Sequence, residues 1–366
     1  MEKVFLVALE EKGKLSYLLD ERLEELRELA RSAGGEIAGE IKAWVDRPHP
    51  ATYLGKGKLF DLRIQAARTG SQLAVFSVDL SPVQVRNIEA VCEMRVVDRT
   101  GLILDIFARR ARTHEGRLQV ELAQLMYLLP RLTGKGVLLS RLGGGIGTRG
   151  PGEKKLEYDR RRIRERISRL KEDVEKVRQH RALIRKGRKR KDFPTVAIVG
   201  YTNAGKSTLL NALTGASAFV EDKVFATLDP MTRIFEREGD RILFTDTVGF
   251  IANLPANLVD AFRATLEEIN EADMILHVID VAHPGAGDHE RAVRALMENL
   301  KISGKPAVVA LNKADLLRSS EERERLLSEY PGAVLISAQN KEGFESLVER
   351  VSAVLKGLRE GDSVAD

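Results

Sequence analysis

The sequence predicts an α/β protein in three parts: a small N-terminal α/β domain over residues 1–110, a long antiparallel helical hairpin over 111–191, and a larger α/β domain over 192–366. Three observations lead to this prediction. Apolar runs alternate with helical periodicity in the first and last parts, which is typical of mostly parallel sheets covered by helices. Two helical patterns flank a glycine-rich stretch in the middle. A glycine-rich loop of fixed spacing follows an apolar run near residue 200.

Composition limits the classes of protein that fit. A chain of 366 residues is long for a single core. No apolar run approaches the roughly 20 residues that a membrane helix needs. The first ten residues lack the long apolar core and small-residue cleavage site of a signal peptide, so we expect a cytoplasmic protein. The single cysteine, Cys92, excludes an internal disulfide and a cysteine-based zinc site.

The net charge of +5 conceals two parts of opposite sign. Residues 192–366 contain 18 Lys and Arg against 28 Asp and Glu, a balance of −10, whereas residues 1–191 contain 41 against 26, a balance of +15. A strongly basic half indicates a polyanionic partner such as RNA. We therefore expect the part of the chain before residue 192 to contact nucleic acid.

The first part of the chain reads as alternating strands and helices. Apolar runs predict strands at 4–9, 73–78 and 95–97, and periodicity predicts helices near 15–33, 57–69 and 82–92. Residues 53–59 are rich in glycine and lysine, and two interpretations stay open: a loop that holds phosphate, or a turn into a helix. The turn is favoured because the segment lacks the spacing of a phosphate loop.

The middle part is predicted to be helical on both sides of a glycine-rich tip. Helical periodicity extends over 102–132, and the tip at 142–152 contains too many glycines for regular structure. A heptad stripe then runs from Leu156 to Ile184, which predicts a second long helix packed against the first. Residues 151–191 contain 18 Lys and Arg against 7 Asp and Glu, an excess that favours contact with a phosphate backbone. For the cluster at 185–191 alone, a plain basic linker is an equal alternative.

The most informative motif occupies residues 200–208, directly after the apolar run 196–199. It has the phosphate-loop spacing of Gly, four residues, Gly-Lys-Ser, between a predicted strand and a predicted helix. Its nucleotide-binding candidates are Gly200, Tyr201, Thr202, Asn203, Ala204, Gly205, Lys206 and Ser207. Glycines let the backbone aim successive N–H groups at phosphate oxygens, at the positive end of the helix. Lys206 is expected to act catalytically at the β- and γ-phosphates, and Ser207 to ligate Mg²⁺.

Three further motifs follow in order, each after an apolar run. They are Asp246, Thr247, Val248 and Gly249; then Asn312, Lys313, Ala314 and Asp315; then Ser337, Ala338 and Gln339. Asp246 is predicted to support Mg²⁺ through water, and the Gly249 N–H to bond the terminal phosphate during catalysis. The Asp315 carboxylate suits the N1–H and exocyclic amine of guanine, a donor pair that adenine lacks, and the backbone of 337–339 suits guanine O6. The four motifs predict a Ras-like P-loop GTPase domain that binds GTP or GDP with Mg²⁺.

A first switch segment is expected between the phosphate loop and Asp246. Its candidates for nucleotide contact are Phe225, Ala226, Thr227, Leu228 and Asp229. A threonine hydroxyl in this segment would complete the Mg²⁺ shell only in the triphosphate state and so order the loop. Composition leaves Thr227 and Thr232 both open as that ligand.

Residue 250 bears on the rate of hydrolysis. Many GTPases have a water-orienting glutamine directly after the glycine of the second motif, and this chain has Phe250. Phenylalanine cannot polarise a nucleophilic water, so we expect slow intrinsic hydrolysis of GTP. An arginine finger or equivalent group from elsewhere supplies about 10³–10⁵ in rate in other GTPases.

Taken together, these motifs resemble the HflX family of translation-factor-related GTPases, and the resemblance spans nearly the whole chain. Specific segments outside the GTPase domain carry it: residues 98–100, 106–108, 119–123 and 143–152. The resemblance implies that Thr227 is the Mg²⁺ ligand and part of the catalytic set. It also implies that the large ribosomal subunit is the partner and that the hairpin tip approaches the peptidyl-transferase region.

The leading hypothesis is a monomeric GTPase that binds rRNA of the large ribosomal subunit through its basic half and hairpin, and that dissociates or rescues stalled ribosomes. The first alternative is a GTPase of ribosome assembly or RNA modification. The second is a regulatory switch whose hairpin binds a protein, which the heptad stripe allows. Strong salt dependence of partner binding would favour RNA over protein.

Overall fold

The computed structural model describes residues 2–13, 16–132, 151–189, 193–215, 225, 228–237, 240–251, 268–300, 302 and 304–362, with only the backbone of 16, 151–156, 181–189, 240 and 361–362. The chain divides into two compact units, Met1–Val177 and Arg178–Asp366. Among the described helices, none combines the length and the apolar character that crossing a membrane would require.

The first unit contains a four-stranded parallel sheet. Its elements are β1 (Glu2–Glu11), α1 (Ser16–Ser32), β2 (Gly35–Val45), α2 (Lys56–Thr69), β3 (Leu73–Phe76), α3 (Pro82–Cys92), β4 (Arg95–Val97), α4 (Arg99–Arg110) and α5 (His114–Arg131), followed by the first part of α6 (Pro151–Lys189). The strand order is β2-β1-β3-β4, and every pair is parallel. The predicted small α/β fold with a parallel sheet is confirmed.

Burial and capping explain why these segments form these elements. Residues 4–10 of β1 are all buried, as expected for a central parallel strand covered on both faces. α3 begins at a capping box, in which the Ser81 hydroxyl accepts from the Gln84 N–H and the Gln84 side chain accepts from the Ser81 N–H. Residues 53–55 form a turn, Gly55 precedes α2 as its capping residue, and residues 56–59 are already in the helix, so the predicted turn into a helix is found.

The expectation of one continuous helical region over 102–132 is wrong. The region forms two helices, α4 and α5, separated by residues 111–113. α4 begins one turn earlier than expected because the Asp98 carboxylate caps it, accepting from the Gly101 N–H at 2.8 Å. Thr113 starts a new helix in the same way, since its hydroxyl accepts from the Gly116 N–H at 3.0 Å.

The expected packing of the two long helices is found where side chains are described. Leu118 and Leu122 of α5 form a buried cluster with Leu170 of α6. Ile167, Val174 and Val177 from the heptad stripe pack against the same cluster, as do Leu125 and Met126. The glycine-rich tip at 142–152 lies mostly outside the described residues, and so do the side chains of 185–191.

The second unit contains a six-stranded sheet with helices. Its elements after α6 are β5 (Thr195–Gly200), α7 (Lys206–Thr214), β6 (Met231–Arg237), β7 (Asp240–Asp246), β8 (Met274–Asp280), α8 (Ala286–Asn299), β9 (Ala307–Asn312), a 3₁₀ turn (Ala314–Leu316), α9 (Ser320–Glu329), β10 (Val334–Leu335) and α10 (Phe344–Asp362). The order is β10-β9-β8-β5-β7-β6, and among the described strands β6 alone pairs antiparallel. This mostly parallel sheet confirms the predicted Ras-like fold.

The order of this sheet brings the predicted motifs to one edge. β5 lies between β7 and β8, and β9 pairs with the far side of β8. The motifs at 200–208, 246–249 and 312–315 each begin at or directly after the carboxyl end of a parallel strand. Ligands of open α/β sheets bind outside this edge. Apolar side chains of the strands, α7 and α10 form the core beneath it.

Candidate nucleotide-binding site

The phosphate-loop motif forms a tight turn between β5 and α7. Asn203 and Gly205 have positive φ angles of 61° and 93°, and Gly205 is the residue that caps the amino end of α7. A Cβ at Gly205 would overlap the side-chain amide of Asn312, so the position requires glycine. The turn presents the first N–H groups of α7 at the sheet edge, where phosphate oxygens accept hydrogen bonds.

Lys206 is held inside this turn. Its Nζ donates to the carbonyl oxygens of Gly200 at 3.1 Å and Tyr201 at 2.8 Å, and the residue is only 6% exposed. Burial lowers the pKa of Lys206 to about 8, and the nearby Asp246 partly opposes that shift. The Lys206 ammonium therefore already lies beneath the loop. The negative charge of a bound polyphosphate would compensate the cost of burying this ammonium away from water.

Two of the three residues predicted to act around Mg²⁺ are in direct contact. The Ser207 hydroxyl donates to Asp246 Oδ2 at 2.6 Å. The pairing of β5 with β7, which places Ile198 opposite Asp246, brings the carboxylate beneath the start of α7. A hydroxyl and a carboxylate are oxygen donors of the kind that Mg²⁺ prefers, so this pair fits the predicted ion.

The segment after Asp246 lies against the phosphate loop. The Thr247 hydroxyl donates to the Ile198 carbonyl at 2.7 Å. The Phe250 N–H donates to the Gly200 carbonyl at 3.1 Å, and its carbonyl accepts from the Thr202 N–H at 2.6 Å. These bonds place the backbone of 247–250 beside the loop.

Gly249 and Phe250 differ in what they present to the site. A Cβ on Gly249 would lie 2.9 Å from Thr202 Cα and 3.1 Å from Lys206 Nζ, so only glycine allows this approach. Phe250 is 2% exposed, and its ring is part of the protein interior. The residue that replaces the water-orienting glutamine is therefore packed away from solvent.

Asn312 connects three of the four motifs. Its Nδ2 donates to the Ala204 carbonyl at 2.8 Å, and its Oδ1 accepts from the Ala338 N–H at 2.9 Å. With 2% exposure, the Asn312 amide is a buried polar group satisfied on both sides. It holds the phosphate loop against the segment 337–339.

The remaining residues predicted to read the base lie next to Asn312. Lys313 has a φ of 64°, and its Nζ pairs with Asp280 Oδ2 at 2.7 Å. Asp315 lies in the 3₁₀ turn, which the Ala314 N–H anchors to the Ile336 carbonyl at 3.1 Å. The Ser337 hydroxyl accepts from the Asn340 N–H at 3.1 Å, which shapes the loop containing the exposed Gln339.

Only part of the predicted first switch is described. Phe225 is 2% exposed, and its N–H donates to the Thr202 hydroxyl at 3.0 Å. Leu228 is buried and Asp229 is half-buried. Ala226 and Thr227, the predicted Mg²⁺ ligand, lie outside the described residues. The other candidate, Thr232, lies in β6, and its hydroxyl hydrogen-bonds to the Thr245 hydroxyl at 3.0 Å.

One group beside the phosphate loop was missed from the sequence. The Tyr201 ring stacks on His289, with ring centroids 3.7 Å apart and an interplanar angle of 6°, and His289 contacts His283 with centroids 4.4 Å apart. Burial lowers the pKa of His289 to about 4. The spacing of the histidines in the sequence carries no signal of this stack.

Sequence profiles of three protein families match consecutive parts of the chain. Residues 20–108 match a family described as GTP-binding GTPase N-terminal, and residues 110–188 match the GTP-binding GTPase middle region. Residues 195–313, which contain the phosphate loop, the motif 246–249 and the first two residues of the motif 312–315, match a family described as 50S ribosome-binding GTPase.

Curated relatives match over most of the chain. GTPase HflX of Caldanaerobacter subterraneus is 49% identical over 340 residues, covering 92% of this chain and 77% of the relative. The chain belongs to the HflX family of GTPases. GTPase HflX of Escherichia coli is 46% identical, covering 91% of this chain and 79% of the relative. As a member of the HflX family, the protein binds GTP and GDP and hydrolyses GTP.

A solved structure supports the fold over the same length. A GTP-binding protein from Sulfolobus solfataricus, in complex with GDP, has a TM-score of 0.50 and 24% identity, covering 98% of this chain and 100% of that one. At this identity, the likeness concerns the fold of the HflX-family chain. The roles predicted for single residues stay predictions.

Proposed function

We propose that this HflX-family GTPase binds the large ribosomal subunit in its GTP state and dissociates or rescues stalled ribosomes. The observation that carries the proposal is the match of residues 195–313 to a family described as ribosome-binding GTPases. The proposed sites of action follow the charge division, with rRNA contacted by the N-terminal domain 1–110 and the hairpin 111–191, and nucleotide bound by 192–366. A cytoplasmic monomer fits this task.

The surface of α6 supports contact with RNA. The side chains of Arg161 and Arg164 are 77% and 56% exposed, and each pairs with a glutamate on the same helix, at 3.1 and 3.4 Å. Tyr158 is 59% exposed, with the Arg162 guanidinium 5.8 Å from its ring centroid. Exposed arginines beside an exposed aromatic ring suit a phosphate backbone with unpaired bases.

The nucleotide would bind along the carboxyl edge of the second sheet. Lys206 would contact the β- and γ-phosphates, and Mg²⁺ would be held by Ser207 and Thr227, with Asp246 acting through water. The Ser207 hydroxyl and the Asp246 carboxylate, 2.6 Å apart, are the donor set that supports this placement. Bound Mg²⁺ would neutralise charge on the phosphates, while the Gly249 N–H would bond the terminal phosphate.

Recognition of guanine is assigned to the opposite end of the site. Asp315 would accept from the base, Lys313 would lie along it, and the backbone of 337–339 would reach guanine O6. The bonds from Asn312 to Ala204 and Ala338 support this assignment, because they fix the base side relative to the phosphate side. Residues 225–229 would close over the phosphates when GTP is bound.

Hydrolysis would depend on the partner. Phe250 is buried and has no group that could orient water, so the isolated protein lacks the usual source of acceleration at this position. A group from the ribosome or from another segment would supply it. Hydrolysis would then release the ordered switch and free the factor.

Co-sedimentation with large ribosomal subunits tests this function. We expect association with GTP or a nonhydrolysable analogue and little with GDP. The variant Arg161→Ala/Arg162→Ala/Arg164→Ala should bind more weakly, and the salt slope of binding should fall by up to about 3. The matched control Arg318→Ala/Arg325→Ala/Arg359→Ala removes three exposed arginines from the GTPase unit and should bind as wild type. Association that does not depend on the nucleotide would contradict the proposal.

A further inference from the structure

The loop between β8 and α8 contacts both ends of the nucleotide site. It begins at Asp280, the last residue of β8, and reaches His289 in the first turns of α8. None of the four nucleotide motifs includes this loop. Its side chains nevertheless contact Lys313 in the base-recognition motif and Tyr201 in the phosphate loop.

Asp280 fixes Lys313. Its Oδ2 lies 2.7 Å from Lys313 Nζ, and the two side chains are only 15% and 27% exposed. The Ala282 N–H donates to Asp280 Oδ1 at 3.1 Å, which sets the direction of the carboxylate. The backbones of the two segments are also joined. Asp280 pairs with Asn312 across β8 and β9, and the Val281 N–H donates to the Asn312 carbonyl at 3.1 Å.

His289 fixes Tyr201. The two rings are nearly parallel, with centroids 3.7 Å apart, and Tyr201 is 8% exposed. The Tyr201 carbonyl is one of the two acceptors of Lys206 Nζ, at 2.8 Å. The stack therefore supports the residue that holds the lysine of the phosphate loop.

His283 lies between these two contacts. Its ring contacts His289 at 4.4 Å between centroids, and its Nδ1 accepts from the Gly285 N–H at 3.0 Å. Asp280 and Lys313 also act on the His283 ring electrostatically. Lys313 thus contacts Asp280, and Tyr201 contacts His289, which contacts His283; the short turn 280–283, held by the Ala282 N–H bond to Asp280, joins the two pairs of contacts into one path.

We propose that Asp280, His283 and His289 are positioning residues that set Lys313 and Tyr201 together, so that the base end and the phosphate end of the site are held as one unit. The inference rests on the nucleotide roles proposed for Lys313 and Lys206. It predicts that a change at either end of the path loosens the same bound nucleotide. Two independent supports would instead contribute separately.

Dissociation of a fluorescent GDP analogue from the full chain, followed by stopped flow, tests the path. We expect His289→Ala and Asp280→Asn each to speed dissociation by about 10-fold, and the double variant by about the same factor. His289→Phe should stay close to wild type because it keeps the stack, as should the control His180→Ala on α6. A double variant that is faster by the product of the two single effects, or a His289→Phe as fast as His289→Ala, would overturn the proposal.

Two further variants separate this inference from the site assignment. Lys313→Met tests the base role itself: unchanged dissociation would refute that role. Faster dissociation from Lys313→Met with unchanged dissociation from Asp280→Asn would refute the path alone. If His289→Ala fails to fold, as judged by circular dichroism, His283→Ala combined with Asp280→Asn provides the same test of coupling, because it removes the ring contact with His289.

Discussion

The two parallel sheets of this protein each have a buried carboxylate at the carboxyl end of a strand. Asp98 directly follows β4 in the first unit, and Asp246 ends β7 in the second. Asp98 is 0% exposed and Asp246 is 1% exposed. The two residues differ in what surrounds them, and that difference separates a structural carboxylate from one suited to a ligand.

Asp98 is surrounded by donors from its own unit. Its Oδ1 accepts from the Gly101 N–H at 2.8 Å and from the Tyr127 hydroxyl at 2.7 Å. Its Oδ2 accepts from the Leu80 N–H at 3.1 Å and from Arg131 at 2.7 Å. Burial, together with the neighbouring Asp98, raises the pKa of Tyr127 well above its usual range. This carboxylate joins β4, α4 and α5.

Asp246 instead lies among groups that suit phosphate and a cation. It accepts from the Ser207 hydroxyl at 2.6 Å and acts electrostatically on the buried Lys206. The glycine turn of the phosphate loop begins next to it. The comparison teaches that a buried carboxylate at a sheet edge indicates a binding function only when the groups around it also suit a ligand.

The largest expected effect is on the structural side. Asp98→Asn leaves Arg131 without its buried anion and should lower the free energy of unfolding by about 3–5 kcal/mol. Urea unfolding followed by Trp44, the single tryptophan, reports on this unit. GDP affinity measured well below the transition should be unchanged, and a loss of nucleotide affinity without a loss of stability would break the comparison.

The matched change on the functional side is Asp246→Asn. Because it removes the charge that would act on Mg²⁺ through water, Mg²⁺-dependent GTP affinity and hydrolysis should fall about 10–100-fold. Stability in the absence of nucleotide should change less than in Asp98→Asn. Titration of Mg²⁺ at fixed GTP measures the effect, and equal behaviour of both variants in both assays would contradict the distinction.

The pKa of Lys206, a neighbour of Asp246, predicts how nucleotide binding at this site depends on pH. Below about pH 8 the lysine is charged with or without nucleotide. A bound polyphosphate raises its pKa, so above pH 8 binding takes up a proton, and GDP affinity should fall by about tenfold per pH unit. Without nucleotide, the folded protein must bury a charged lysine below pH 8. The free energy of folding is therefore less favourable there than above pH 10.5, the ordinary pKa of lysine, where the group is neutral in both the folded and unfolded states.

Calorimetry of GDP binding at pH 7 and pH 9 measures this linkage. Two buffers of different ionisation enthalpy reveal the proton taken up at the higher pH. Lys206→Met should bind more weakly and show no proton uptake from this group. Wild-type affinity that is constant from pH 7 to pH 9 would contradict the assignment.

The smallest effect is expected at an exposed carboxylate. Glu121 of α5 accepts two hydrogen bonds from Arg166 of α6, at 2.7 and 2.8 Å, and the two side chains are 41% and 47% exposed. Exposed pairs contribute little and are screened by salt. Glu121→Gln should therefore melt close to wild type in high salt, which thermal unfolding monitored by circular dichroism checks. A shift as large as that of Asp98→Asn would contradict burial as the deciding factor.

Features of the fold and of the site could be predicted where their signal lies in consecutive residues of the sequence. The turn at 200–208 was predictable because its spacing and its flanking elements are consecutive in the chain. β2 is not predicted from the sequence because it is an edge strand, in which Glu, Lys and Gly interrupt the apolar pattern of residues 35–45. β6 is not predicted either, because it is also an edge strand: it lies at the edge of the other sheet, where Met231 and Ile234 are exposed.

Contacts between distant segments could not be predicted from spacing. The stack of Tyr201 on His289 joins residues that only the pairing of β5 with β8 brings together. The pairing of Asp280 with Lys313 depends in the same way on β8 and β9. The break between α4 and α5 leaves only weak local signals: Ala111 is the single apolar side chain between Ala108 and Leu118, and the cap at Thr113 involves one residue.

Single-turnover hydrolysis of GTP, with and without large ribosomal subunits, tests most directly whether the GTPase edge acts through a ribosomal partner. With Phe250 buried, we expect slow hydrolysis by the protein alone and an acceleration of about 10³–10⁵ when subunits are added. Rapid hydrolysis by the isolated protein, unchanged by subunits, would contradict the proposed function.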